Sequence, residues 1–325
     1  MDICAFFYQK KQGGIGLNHQ LVLLTGFLGA GKTTFLNHIL REYENSRVGM
    51  IVNEFSQTGV DGALIRRDIP GAEMVELNNG SIFCACIKDS FVDSLVALGQ
   101  QDLEYVFVEA SGLADPSSIA SILDQIRTFR GVDYYYRGAI CLADAQNFPK
   151  HAKVLVSLRR QVKYSHAVVL NKTDLVDEEG LARCEAAIRE IQPDIPIFRT
   201  TYGQISLKEV LAERDRAMPA PEESTNTEST RPTTVTLSTT EVVSIEDLRT
   251  FLKTIAPFTY RIKGFCRTTD GTVDVSMVGE QFHMDQWPIG VSETQLVIIS
   301  SVGVRIISET LQAAKSCFHE KFDLK

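Results

Sequence analysis

A glycine-rich segment, Gly-Phe-Leu-Gly-Ala-Gly-Lys-Thr-Thr at residues 26–34, sits between the apolar run Leu21-Val22-Leu23-Leu24 and the helix-like Phe35-Leu36-Asn37-His38-Ile39-Leu40. A chain that passes from an apolar strand through glycines straight into a helix has few ways to fold. The strand must be covered on both faces, and the helix must open at the strand's carboxyl end. Gly26, Gly29 and Gly31 let the backbone bend tightly, so the N–H groups of the loop, through Ala30 to Thr34, converge with the helix N-terminus on one point suited to a phosphate. Lys32 then reaches the β- and γ-phosphates, and the Thr33 hydroxyl completes a Mg²⁺ shell. Nucleotide binding is the first expectation.

A second motif bears on which nucleotide. Residues 167–170, Ala-Val-Val-Leu, read as a buried parallel strand that ends in Asn171-Lys172-Thr173-Asp174 and leads to an acidic helix start at Asp177-Glu178-Glu179. Ligands of open α/β sheets bind at that end. The Asp174 carboxylate can accept from both the ring N–H and the exocyclic amine of guanine, a donor pair that adenine lacks. Asn171 supports the loop and meets the acceptor edge of the base, and the Lys172 stem packs on a ring face. A buried carboxylate left unpaired penalises adenine, so guanine specificity is expected. The competing use of the tetrapeptide is as a helix cap.

Between these motifs lie candidate switch elements. Tyr105-Val106-Phe107-Val108-Glu109 is an apolar strand with an acidic end, followed by Ala-Ser-Gly-Leu-Ala-Asp-Pro over residues 110–116. Glu109 emerges where Mg²⁺ and its waters would lie and is also the candidate for orienting the attacking water. The Gly112 N–H is placed to meet the γ-phosphate, a contact that exists only before hydrolysis. The alternative for Glu109 is a cap on the helix that starts at 116. Upstream, Asn53-Glu54-Phe55-Ser56-Gln57-Thr58-Gly59 follows another apolar strand and has the polar, glycine-bearing character of a first switch.

Strands are predicted at 21–25, 48–53, 74–77, 105–110, 135–143, 167–171 and 196–199, and helices at 32–43, 87–99, 116–129, 151–163 and 178–191. This alternation specifies a doubly wound, mostly parallel α/β sheet over residues 19–212. Residues 1–18 form an N-terminal extension whose lysines follow rather than precede its short apolar stretch, unlike a secretory signal. Residues 213–233 are polar and proline-marked, as linkers are. After them, a smaller α+β domain over 234–325 is expected, with strands at 234–239 and 259–266, a helix at 244–255 capped by Ser244, a hairpin at 272–284, a strand at 294–300 and a closing helix at 304–317.

The chain has 325 residues, ample for two domains, and its 44% hydrophobic content fills ordinary cores. No run approaches the length that spans a bilayer, and a net charge of −8 disfavours a nucleic-acid partner. Seven scattered cysteines suit free thiols in a reducing, cytoplasmic setting.

Taken in order, Gly-Phe-Leu-Gly-Ala-Gly-Lys-Thr-Thr, Val-Asn-Glu-Phe, Glu-Leu-Asn-Asn-Gly, Glu-Ala-Ser-Gly-Leu-Ala-Asp-Pro and Asn-Lys-Thr-Asp resemble the CobW family of GTPases, kin to UreG and HypB. The likeness covers residues 20–205, and Tyr260-Arg261-Ile262-Lys263-Gly264-Phe265 resembles part of the CobW carboxyl-terminal domain. The resemblance implies a P-loop GTPase that turns GTP into GDP, handles a metal ion such as zinc or cobalt, and delivers it to a client metalloprotein. It also shows a departure. Family members carry Gly-Cys-x-Cys-Cys after Glu-Leu-Asn-Asn; here the segment reads Gly80-Ser81-Ile82-Phe83-Cys84-Ala85-Cys86, and Gln57 stands where a second switch carboxylate is usual. Cys84, Cys86 and Glu54 could still supply three ligands to a soft divalent ion, with water or a client residue as fourth. The alternative is that the thiols hold no metal.

Three functions are compatible with these residues. The first is a GTP-hydrolysing metallochaperone or metalloenzyme-assembly factor. The second is a GTP-dependent regulatory interaction protein that has lost metal transfer, favoured by the altered thiol segment. The third, a small-molecule kinase, is disfavoured because no lid-like arginine cluster appears and the base motif would go unexplained. Oligomeric state is left open, a homo-oligomer included.

Overall fold

The computed structural model describes residues 19–54, 73–78, 88–212, 232–318 and 321–325, and for residues 53, 54, 73–78 and 88 the backbone alone. The chain divides into two compact units, Met1–Ser229 and Thr230–Lys325. The extension at 1–18, the linker segment 213–231, and Cys84 and Cys86 lie outside the described residues.

The first unit is organised by its apolar runs. Strand β1 (His19–Gly26) carries Leu21, Val22, Leu23 and Leu24, all fully buried, because helices cover both of its faces. Leu21 and Leu23 pack with Phe91 and Leu95 of α2 (Lys88–Gly99) and with Ile122 and Ile126 of α3 (Ile119–Arg130). Val22 and Leu24 point the other way, into a cluster with Phe35, Leu36 and Ile39 of α1 (Lys32–Glu42). Burying Phe35, Leu36, Ile39 and Leu40 of α1 contributes roughly 6–12 kcal/mol, taking about 1.5–3 kcal/mol for each large apolar side chain. A cavity at Phe35 would remove about 3–5 kcal/mol of it.

The remaining elements are β2 (Val48–Glu54), β3 (Glu73–Asn78), β4 (Tyr105–Glu109), β5 (Tyr134–Asp144), α4 (Phe148–His151), α5 (Val156–Lys163), β6 (Ala167–Asn171), α6 (Glu178–Ile191), β7 (Ile197–Arg199) and α7 (Leu207–Val210). Among the described residues the strands form a seven-stranded sheet in the order β3-β2-β4-β1-β5-β6-β7, with every pairing parallel. β1 lies between β4 and β5, so the chain leaves it toward one edge for β2 and later fills the other edge with β5 to β7. The crevice at this change of direction is where open α/β sheets take their ligands. The helix predicted over 151–163 is instead two helices, α4 and α5, separated by a turn at 152–155, and α4 starts three residues earlier than expected with Pro149 in its first turn.

In the second unit, β8 (Thr234–Thr239), β9 (Thr259–Thr268), β10 (Gly271–Val278), β11 (Gln281–Trp287), β12 (Thr294–Ser300) and β13 (Asp323–Leu324) form an antiparallel sheet in the order β11-β10-β9-β12-β8-β13. Period-two alternation puts Val235, Leu237, Val273, Val275, Leu296 and Ile298 on one face. There they meet Phe251 and Ile255 of α8 (Ile245–Ile255) and Ala314 and Phe318 at the end of α9 (Ile306–Cys317). Ser244 caps α8 by accepting from the Asp247 N–H at 3.0 Å, as the sequence predicts. Strand β13, too short to carry a pattern, was not anticipated.

Candidate functional site

The chain leaves β1 at Gly26 and enters α1 at Lys32 through a loop in which Gly26, Gly29 and Gly31 all have positive φ. Gly31 is required for a second reason. A Cβ there would stand 2.3 Å from Asn171 Nδ2, so the base-motif strand can approach the loop only because no side chain intervenes. Lys32 is buried, and its Nζ donates to the carbonyls of Gly26 at 2.9 Å and Phe27 at 3.1 Å. Its ammonium is thus held against the first residues of the loop. Thr33 donates from Oγ1 to Glu109 Oε1 at 2.9 Å, while Thr34 is exposed. Glu109 ends β4 opposite Leu24 of β1, so the sheet register sets its carboxylate at the end of β1 from which the loop leads to Thr33.

The base motif is tied to the same loop. Asn171, buried at the end of β6, donates from Nδ2 to Ala30 O at 2.9 Å and accepts at Oδ1 from Gly203 N at 3.0 Å. One amide therefore joins the phosphate loop, the strand end and the 200–203 loop. Lys172 has left-handed backbone, φ 62°, which costs a non-glycine residue roughly 1–2 kcal/mol. Its Nζ lies 2.8 Å from Asp144 Oδ2, and Asp144 Oδ1 accepts from the backbone N–H groups of Gln146 and Asn147. That pairing fixes the Lys172 stem along the edge of the site. Asp174 is exposed. It does not cap the following helix; Asp177 does, by accepting from Gly180 N at 2.8 Å.

Gly112 lies directly against the phosphate loop. A Cβ on it would come within 2.5 Å of Leu28 Cδ2 and 2.7 Å of Leu28 N. The cap at residue 116 is supplied by Asp115, whose Oδ1 accepts from Ser117 N, and not by Glu109. Asp115 also forms a buried ion pair with Arg160 of α5, Nε to Oδ2 at 2.6 Å, and Gln161 Nε2 donates to Gly112 O at 3.2 Å and Ala114 O at 3.0 Å. Nearby, burial pushes the Cys141 thiol up to about 12, against a weaker downward pull from Lys32. Burial likewise lowers the pKa of His151, reinforced by Lys150 and opposed by Asp144; its ring lies 5.0 Å from that of Phe27.

The loop residues 26–34 with Glu109, Gly112, Asn171, Lys172 and Asp174 all come to the carboxyl ends of β1, β4 and β6. Glu54 is the last residue of β2, at the same end, but its side chain is not described. Among the described residues there is no cluster of three or more histidine, cysteine or carboxylate groups poised to hold a metal. Sequence reasoning missed Asp144, Arg160, Gln161 and Gly203. Asp144 alone had a local signal, a carboxylate at the carboxyl end of an apolar strand.

A glycine-rich loop joining the central strand of a wound parallel sheet to its first helix, with a strand-end carboxylate facing the helix, defines the P-loop class of nucleotide-binding proteins. Within that class, the model of the CobW/HypB/UreG nucleotide-binding domain matches residues 20–199, and that of the cobalamin synthesis protein cobW C-terminal domain matches residues 233–315. The chain belongs to the CobW/HypB/UreG family. It is 32% identical over 197 residues to the zinc chaperone YjiA of Escherichia coli, covering 58% of this chain and 59% of YjiA. It is 31% identical over 225 residues to the zinc chaperone CobW of Pseudomonas aeruginosa, covering 59% of each. The zinc-regulated GTPase metalloprotein activator 1 of Dictyostelium discoideum is 29% identical over 223 residues, 58% of this chain and 47% of that protein. The chain thus spans about half to three fifths of the length of these relatives. Among the described residues no helix is long and apolar enough to cross a membrane.

Proposed function

We propose that this chain is a GTPase that couples a nucleotide switch to the handling of a metal ion, zinc or cobalt, and to a client metalloprotein that receives it. The observation that carries the nucleotide half is the bond from Asn171 to Ala30 O, which supports a single site by joining base motif and phosphate loop. In this reading Lys32 and the amides of Gly29 to Thr34 receive the phosphates, and the Gly112 N–H meets the γ-phosphate. Asn171, Lys172 and Asp174 receive guanine. Thr33 and Glu109 are hard oxygen donors already within hydrogen-bond reach, which suits Mg²⁺; they would hold it, and its charge would offset that of the β- and γ-phosphate oxygens. Lys32 stabilises the charge that develops as the γ-phosphoryl group transfers to water.

The metal half is supported by the similarity to zinc chaperones and a zinc-regulated GTPase and by the ligand chemistry of Glu54, Cys84 and Cys86. Ser81 and Phe83, standing where relatives carry thiols, favour the second reading, a GTP-dependent interaction protein without metal transfer. Two measurements test the proposal. GTP turnover should fall by orders of magnitude in Lys32→Ala while the fold persists. Zinc binding by the anaerobically purified protein should change with GTP; undiminished turnover in the variant removes the catalytic assignment, and zinc affinity indifferent to GTP removes the coupling.

A further inference from the structure

The segment from Ser111 to Ser117 carries Gly112, yet the residues that hold it in place belong to α5, far along the chain. Gln161 is fully buried, and its one amide nitrogen bridges the carbonyls of Gly112 and Ala114. Arg160 pairs with Asp115 and donates from Nη2 to Ser117 Oγ at 3.0 Å, while Asp115 caps the short helix Pro116–Ser118. Both side chains leave the same turn of α5 and reach the same loop. Beyond them, Ser165 Oγ donates to Gln161 O at 2.7 Å, and the backbone enters β6, which ends at Asn171. Asn171 returns to the phosphate loop at Ala30, and Gly112 lies against that loop at Leu28. The contacts therefore close a ring: phosphate loop, Gly112, Gln161, α5, β6, Asn171, phosphate loop.

We propose that Gln161 and Arg160 are positioning residues that set the Gly112 amide against the phosphate loop and thereby determine how far the protein favours GTP over GDP. This rests on the nucleotide reading above, in which Gly112 meets the γ-phosphate. The selectivity follows from geometry. The base contacts and the loop amides serve both nucleotides, whereas the held Gly112 amide serves only the one with a third phosphate. With the Gly112 carbonyl freed from Gln161, the residue and its N–H must be ordered again each time GTP binds, and that ordering weakens GTP alone. Losing two buried hydrogen bonds, each of about the ordinary net strength, should weaken GTP roughly tenfold or somewhat more. The ring also places α5 between the γ-phosphate side and the base side, so the two ends of the nucleotide are read by one connected frame.

The test uses the full chain with Gln161→Met, which preserves length and apolar volume but donates nothing, and with Arg160→Lys, which keeps the charge facing Asp115 but loses the fork that reaches Ser117. Affinities for GDP and for a non-hydrolysable GTP analogue are measured by calorimetry, together with steady-state GTP hydrolysis. Gln161→Met should lose roughly tenfold in analogue affinity and less than about threefold in GDP affinity, with kcat/KM for GTP falling in parallel and turnover at saturating GTP little changed. Arg160→Lys should move the ratio in the same direction by a smaller factor. Equal losses for both nucleotides, as a merely structural role would give, overturn the proposal, and so does an unchanged ratio. Should Gln161→Met fail to fold, Arg160→Lys decides by the same criterion. A wild-type protein that neither hydrolyses GTP nor prefers it to ATP overturns the nucleotide reading itself; a wild type that does both, beside a Gln161→Met variant of unaltered ratio, overturns only the positioning role.

Discussion

Replacing Asn171 by alanine should uncouple the two halves of the nucleotide site, and its size can be worked from the contacts. The side chain is 2% exposed, donates to Ala30 O at 2.9 Å and accepts from Gly203 N at 3.0 Å. Each bond contributes about 1 kcal/mol net, and a buried partner left unsatisfied costs about 1–3 kcal/mol. Water entering the vacated space would satisfy part of both, so a loss of about 2–4 kcal/mol is expected in the first unit. Asn171→Asp should be milder in one respect and worse in another: it still accepts from Gly203 N, but sets a carboxylate against the Ala30 carbonyl. The lone tryptophan, Trp287, lies in the second unit and reports on that unit, so native-state hydrogen exchange of the β6 amides is the appropriate measurement. Nucleotide affinity should fall with local stability, because the same bond fixes the phosphate loop. Exchange free energies and GTP affinity both within about 0.5 kcal/mol of wild type would refute the inferred tie.

Asp174→Asn should weaken GTP by at least about tenfold and raise the relative affinity for xanthine nucleotides, since an acceptor facing guanine's donors becomes in part a donor; equal affinity of the wild type for ATP and GTP would contradict the base assignment. Cys84→Ser and Cys86→Ser should each remove most zinc affinity, Glu54→Gln somewhat less, and binding should strengthen as pH rises through the thiol range, since thiolates must lose their protons first; a stoichiometric site indifferent to Cys84→Ser refutes that ligand set. The pKa of His151 is lowered from 6.5, chiefly by burial, so below that value the unfolded chain takes up the proton first. The associated stability is complete above 6.5 and lost as pH falls toward the folded value, so the melting temperature should decline more steeply between about pH 7 and 5 in the wild type than in His151→Phe; parallel slopes would exclude the effect.

The residues expected to touch a nucleotide were readable because chemistry restricts them. Only glycine permits the approach of Gly31 to Asn171, and an ammonium, a hydroxyl and a carboxylate at Lys32, Thr33 and Glu109 are the groups that the proposed phosphates and Mg²⁺ would call for. The continuous runs of β1 and β6 were readable for a similar reason, since burial on both faces leaves no room for polar alternation. What holds those residues was not readable. Gln161 meets Gly112 and Arg160 meets Asp115 across 49 and 45 residues, through a crossover helix whose own periodicity says only that it is amphipathic. The break between α4 and α5 had a faint signal in Pro149, which suits a first helical turn, but the apolar spacing ran on through it. Any buried donor of the right reach could have held the Gly112 loop, so no residue type was forced at 161. A ligand constrains the atoms that meet it, while the fold constrains only the distance at which the supporting atoms must stand. The frame around the site is therefore where the sequence says least, and where substitutions should change nucleotide selectivity without altering a motif.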